Sequence, residues 1–404
     1  MFICQPIPLS FILTLNSKNL ILAVIVLAQF FCCSSWFAVN AIIEEIQVLL
    51  EASPSFLADA TTAVQLGFIV GTLVYAITSL ADRYSPSKVF FLSALMVSIF
   101  NTLVLVTEIG TIGVLTCRFV VGFFLAGIYP VGMKIASDHF KEGLGISLGY
   151  LVGALVLGTA LPHFINAMDW GIGWQTVVYS TSALTLTGGL AILLWVPDGP
   201  YHKKALNFQF GQIKTIFKNQ PFNQAAMGYF GHMWELYALW AFVPVFIQAY
   251  QGNLTSKTID VSFITFGVIG IGALACILGG YLAHRIGARK SARLFLFLSA
   301  ICCLLSPIIY NQASLFSFIL FLLFWGMVVI ADSPLFSTLV AQNAPPQSKG
   351  TALTIVTCIG FALTIVSIQL LNYLLPHLGV QYLFLVLSIG PIWGVYKLVK
   401  KIPV

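Results

Sequence analysis

Leu80-Ala81-Asp82-Arg83 and Leu282-Ala283-His284-Arg285, trailed by Lys88 and Lys290, are two copies of one stretch at an offset of 202 in a chain of 404 residues. Each copy follows one long apolar run and precedes another. Further on, Gly122 and Pro130 match Gly326 and Pro334 at an offset of 204. The chain therefore repeats itself by halves, and the same direction of travel at both sites makes the repeat parallel.

Composition says what the repeat is made of. Of all residues 59% are apolar and 8% charged, against about 25% charged in soluble domains. The apolar runs are the length needed to cross a hydrocarbon core about 30 Å thick. Lipid demands internally satisfied backbone, and unbroken apolar runs rule out the alternating pattern of a barrel. The expectation is an all-α membrane protein of twelve spans. They are placed at Leu20–Ile42, Ala60–Leu80, Val89–Thr107, Gly110–Gly132, Gly143–Ile165, Trp174–Val196, Asn223–Tyr250, Val261–Ala283, Ser291–Ile309, Ala313–Ser337, Thr351–Leu374 and His377–Val399.

The net charge of +6 could point to nucleic acid, but its distribution points to a bilayer. With a cytoplasmic amino terminus, every Lys and Arg except Lys257, outside, and Arg118, within a span, falls in an inner segment; Lys141, Lys203, Lys204 and Lys401 are among them. This positive-inside pattern puts both termini in the cytoplasm. The expected organisation is a lead-in over 1–19, a six-helix bundle over 20–196, a cytoplasmic linker over 197–222, a second bundle over 223–399 and a tail over 400–404. None of the eight cysteines, Cys4 among them, falls in an external loop, and no metal-ligand spacing accompanies them. Asn253-Leu254-Thr255 is a chance sequon.

The run Gly280-Tyr281-Leu282-Ala283-His284-Arg285-Ile286-Gly287-Ala288-Arg289-Lys290 resembles the loop signature of the major facilitator superfamily, with His284 at the acidic position. The first copy keeps Asp82, Arg83 and Lys88 but has Thr78 and Ser85 for the glycines. Arg118 followed by Gly122 resembles the family's fourth-helix motif. The resemblance covers the whole chain and implies two pseudo-symmetric bundles and a cavity lined by spans 1, 4, 7 and 10. It also implies alternating access, proton coupling and a functional monomer in a bacterial inner membrane, with no cofactor. The same loops imply a cytoplasmic gate of Asp82, Arg83, Gly280, His284, Arg285 and Gly287, with Asp82 reaching the start of span 11.

An ionisable residue inside a span costs roughly 2.5–3.5 kcal/mol and asks for a reason. Arg118 and Glu235 each fall ~12 Å below the outer boundary at 1.5 Å per residue, and His232 shares a face with Glu235. Two readings follow: a static ion pair that cancels its own burial cost, or a site that binds an anion and loads and releases a proton. Asp332, ~28 Å into span 10, is expected near the cytoplasmic boundary as part of the gate, with Pro334 bending the helix. Trp36, Asn40, Gln65, Tyr129, Trp234, Tyr237 and Trp240 are candidates to line the cavity, although Trp and Tyr also populate membrane interfaces. Gly67, Gly71, Gly145, Gly149 and Gly153 read as close helix packing. The expected function is proton-coupled secondary transport of a small, anionic organic solute. The alternative is proton-driven export of amphipathic compounds or drugs. Neither a nucleophile nor a metal or cofactor motif argues for an enzyme.

Overall fold

The computed structural model describes residues 17–140, 144–168, 171, 173–202, 211, 213–252, 254, 259–345 and 348–400. Outside them lie most of the lead-in, part of the linker, the tail from 401, Cys4, Lys141, Lys203, Lys204, Lys257, Lys401 and both ends of the sequon.

The helices are α1 Ser17–Cys33, α2 Phe56–Arg83, α3 Pro86–Leu105, α4 Gly110–His139, α5 Leu144–Ala167 and α6 Gln175–Trp195 in the first half. The second half has α7 Gln220–Gly252, α8 Val261–Ile286, α9 Ala288–Gln312, α10 Leu315–Asn343, α11 Lys349–Leu374 and α12 Val380–Val399. Eleven are long and apolar enough to cross a membrane, and α1 is a shorter apolar helix. A further short helix, Ile213–Lys218, precedes α7.

The repeat is visible in the packing. A methyl group added at Gly122 of α4 would overlap the carbonyl of Val64 on α2, and one at Gly326 of α10 would overlap that of Val268 on α8. Each residue of the first crossing lies 204 positions before its counterpart in the second, so one helix crossing is built twice. Gly67 and Gly71 complete the first, against Phe119 and Phe123. Gly149 departs from expectation: open space surrounds it.

Three spans are broken, and two of them are longer than expected. The α4 helix continues to His139 and α10 to Asn343, past the expected Gly132 and Ser337. A proline cannot donate to the helix and crowds the carbonyl four residues back. Accordingly, α4 is interrupted at Ala126–Ile128 before Pro130, and α10 at Ala331–Asp332 before Pro334. The first span breaks without proline: α1 stops at Cys33, and the chain turns through Ser34–Val39 into a 3-10 turn at Asn40–Ile42.

The halves meet along two seams, α2 on α11 and α5 on α8. At the end opposite the basic loops each seam carries a polar latch. Gln369 donates to Asp59 (3.3 Å) and Thr62 (2.9 Å), and Asn166 donates to Ser262 (3.1 Å) and the Ala41 carbonyl (2.8 Å).

Candidate functional site

The break in α1 leaves carbonyls that no helix can satisfy, and Arg118 answers them. Its Nη2 donates to the carbonyls of Ser35 (3.1 Å) and Trp36, and its Nη1 to Oδ1 of Asn101 (3.3 Å). The guanidinium is fully buried, and its Nε has no partner among the described residues. Asn40 pins the other side of the break by donating to Thr61 of α2 (2.7 Å).

The unwound segment carries Trp36 into the plane between the halves. Its ring stacks on Tyr237 of α7 and Phe361 of α11, both at 5.9 Å, and lies 4.8 Å from Phe68 of α2. Phe37 and Trp240 extend the cluster, with an edge contact at 6.3 Å. Around this aromatic contact several polar atoms have no partner among the described residues: Nε1 of Trp36 and Trp240, and both amide atoms of Gln65. Gln65 shares a face of α2 with Thr61 and Phe68. A buried polar group without a hydrogen bond costs about 1–3 kcal/mol, so these atoms weigh against stability where they stand.

A second centre lies wholly in the carboxyl-terminal half. Glu235 of α7 accepts at Oε1 from Ser299 (2.6 Å), Trp325 Nε1 (2.7 Å) and Cys303 Sγ (3.3 Å), while Oε2 has no partner among the described residues. One turn earlier, His232 pairs through Nδ1 with Oδ1 of Asp332 (2.8 Å), each side chain 1% exposed. The Tyr229 ring lies 6.1 Å from that of His232.

Three expectations change. Among the described residues no ion pair joins Arg118 to Glu235, because each finds its partners within its own half; equal depth did not mean contact. Asp332 meets His232 in the buried interior, and α10 runs on past it to Asn343, beyond the expected end at Ser337. Trp234 turns away from the seam: its Nε1 reaches the Val386 carbonyl (3.4 Å) and its ring packs on Gly390 of α12.

The basic end also differs from expectation. Asp82 pairs with Lys134 of α4 (2.7 Å), which also meets Asp138 (3.3 Å), so its bond stays inside the first half rather than at the start of α11. Asp138 in turn binds His202 (2.9 Å), and Ser85 donates to Asp198 (2.6 Å), fastening the start of the linker. Arg83 and Arg285 are exposed, and Gly280 and His284 border a groove between α5 and α8. Gly287 has φ +89°, which explains a glycine there; the first half instead puts Ser79 in the left-handed region at φ +52°.

Sequence comparison adds the relatives. The model of the Major Facilitator Superfamily matches residues 25–368. The chain is 27% identical over 164 residues to the Ascochitine biosynthesis cluster MFS transporter of Didymella fabae, a match covering 40% of this chain and 31% of that relative. Among solved structures it is similar in fold to a mutant of the nucleoside transporter NupG, with TM-score 0.71 and 13% identity, over 95% of this chain and 99% of that one.

Proposed function

The chain belongs to the major facilitator superfamily, a family of multi-pass membrane transporters, and from that premise we propose that it moves a small organic anion in exchange for, or together with, protons. The observation that carries the reading is the set of polar atoms on Trp36, Trp240, Gln65 and Arg118 that have no partner among the described residues, around an aromatic contact between the halves. A solute with a planar body would separate Trp36 from Tyr237 and Phe361, and its polar groups would take the bonds those atoms lack. Arg118 supports an anion: backbone carbonyls hold its guanidinium without neutralising it.

Proton coupling is assigned to α7 and α10. Glu235, His232 and Asp332 are ionisable and buried within the half that supplies Tyr237 and Trp240. A half that rocks about the site would carry them between a dry setting and one reached by water, which changes which protonation state is stable. The basic end is placed in the cytoplasm by the positive-inside rule, with residues 20–196 and 223–399 as the two rocking bundles. Proton-driven export of amphipathic compounds draws on the same aromatic cluster.

Proteoliposomes carrying the purified protein and a pH-sensitive dye test the proposal. Small carboxylates and flat amphipathic cations are added in turn under a pH gradient of either sign. A carboxylate that moves protons with its own uptake is the expected result; proton movement only with amphipathic cations would support export instead. Solute flux with no proton movement would refute coupling.

A further inference from the structure

The two copies of the repeated loop are not electrically equivalent. In the first half Asp82 and Asp138 flank Lys134. In the second, His284 stands where Asp82 does, and no acidic residue occurs between Asp260 and the carboxyl terminus except the buried Asp332. Arg289 is occupied by the Leu398 carbonyl (3.0 Å) and Gln224. Arg285, Lys290 and Arg293 are exposed, and the ion pairs among the described residues include none of them.

These three cations stand at the mouth of a groove of about 600 Å³ between the start of α9 and the end of α12. Its walls are apolar: Leu294, Phe297 and Val399 are 40%, 50% and 56% exposed on spanning helices. Leu294 and Phe297 lie one turn apart on α9, so the apolar wall runs from the cations toward the membrane interior. Both α9 and α12 pack inside the second half, away from the two seams, so the groove is on the flank of the molecule and not on a path between the halves.

The geometry points to a binding site for an anionic glycerophospholipid: its phosphate meets Arg285, Lys290 and Arg293, and an acyl chain lies along Leu294 and Phe297. A headgroup supplies here the negative charge that the first half supplies from its own chain. A soluble anion would use the cations but not the wall, and a zwitterionic lipid the wall without the net charge. Each cation at an anionic surface strengthens attraction about fivefold, so removing two costs about 30-fold.

The test uses the full-length protein in mixed micelles. Binding of phosphatidylglycerol and of phosphatidylcholine with the same acyl chains is measured by native mass spectrometry, with glycerol phosphate as a chainless competitor. Wild type is expected to prefer phosphatidylglycerol, and Lys290→Gln with Arg293→Gln to lose about 30-fold in its binding, with an unchanged melting temperature in lipid-free detergent. Lys88→Gln, at the matching position of the first half, should bind as wild type does. Equal binding of the two lipids, full competition by glycerol phosphate, or equal loss in Lys88→Gln would each overturn the assignment. Should the double variant melt early, Arg293→Gln alone must still lose about fivefold.

Discussion

His232 Nδ1 of α7 lies 2.8 Å from Asp332 Oδ1 at the break of α10, a contact that is an ion pair when the imidazole carries a proton, and neither side chain is more than 1% exposed. It joins the middle of an unbroken 33-residue helix to the one point where its neighbour has lost its regular backbone. Pro334 sets the break in α10, and the contact ties that break to α7.

Removing one member of a buried pair leaves an uncompensated charge, at about 3–5 kcal/mol. Asp332→Asn and His232→Leu are each expected to lower the melting temperature in detergent sharply. The double variant His232→Leu with Asp332→Leu should recover most of the loss, since neither charge remains. Additive losses in a double-mutant cycle would show that the two do not act as a pair.

The duplicated crossing gives a paired prediction. Gly122→Ala and Gly326→Ala each press a methyl into a backbone carbonyl, which costs about 1–3 kcal/mol by overpacking, and the two should be similar because the crossings are the same. Gly149→Ala meets nothing within 4 Å and gains helix propensity of about 1 kcal/mol, so it should be neutral or mildly stabilising. Thermal melts of the three variants decide the matter; a Gly149→Ala as damaging as Gly122→Ala would contradict the packing.

At the basic end, Asp82 and Lys134 are each 21% exposed, so their pair is worth under about 1 kcal/mol of stability. Asp82→Asn and Lys134→Gln are expected to fold normally and to slow transport to a similar degree, with His284→Asn close to wild type. Initial rates in the same vesicles check this, and an unchanged rate in Lys134→Gln would detach the pair from gating.

How far the sequence carries depends on whether a feature has a local cause. The spans and the halves were legible because apolar length and the 202 and 204 offsets are properties of the chain itself. Pro334 announced a bend, but the apolar run thins after Ser337, so α10 looked too short. The break at Ser34–Val39 carries no proline or glycine; it is stabilised by Arg118 from another helix, and no local pattern encodes that. Phe37, Phe68 and Phe361 were invisible for a related reason. A phenylalanine in a span looks alike whether it meets lipid, a neighbouring helix or the opposite half. Likewise Trp325 and Ser299 gave no sign that they converge on Glu235.

Glu235 and Arg118 separate coupling from architecture most sharply. In Glu235→Gln the amide oxygen can keep the bonds from Ser299, Trp325 and Cys303, and the amide nitrogen replaces the oxygen that has no partner. Folding should survive while the site is locked neutral. Accumulation against a gradient is then lost, but exchange of labelled solute persists, because exchange needs no net proton movement. Arg118→Lys differs: one ammonium cannot span the Ser35 and Trp36 carbonyls and Asn101 in the plane of a guanidinium. A loss of about 1–3 kcal/mol in stability and of both accumulation and exchange is expected. The two residues share no contact, so Arg118→Leu with Glu235→Leu should show both defects and rescue neither. Uptake, exchange and melting measured side by side for all three variants decide between the roles, and an active double variant would mean that the two charges serve only to cancel each other.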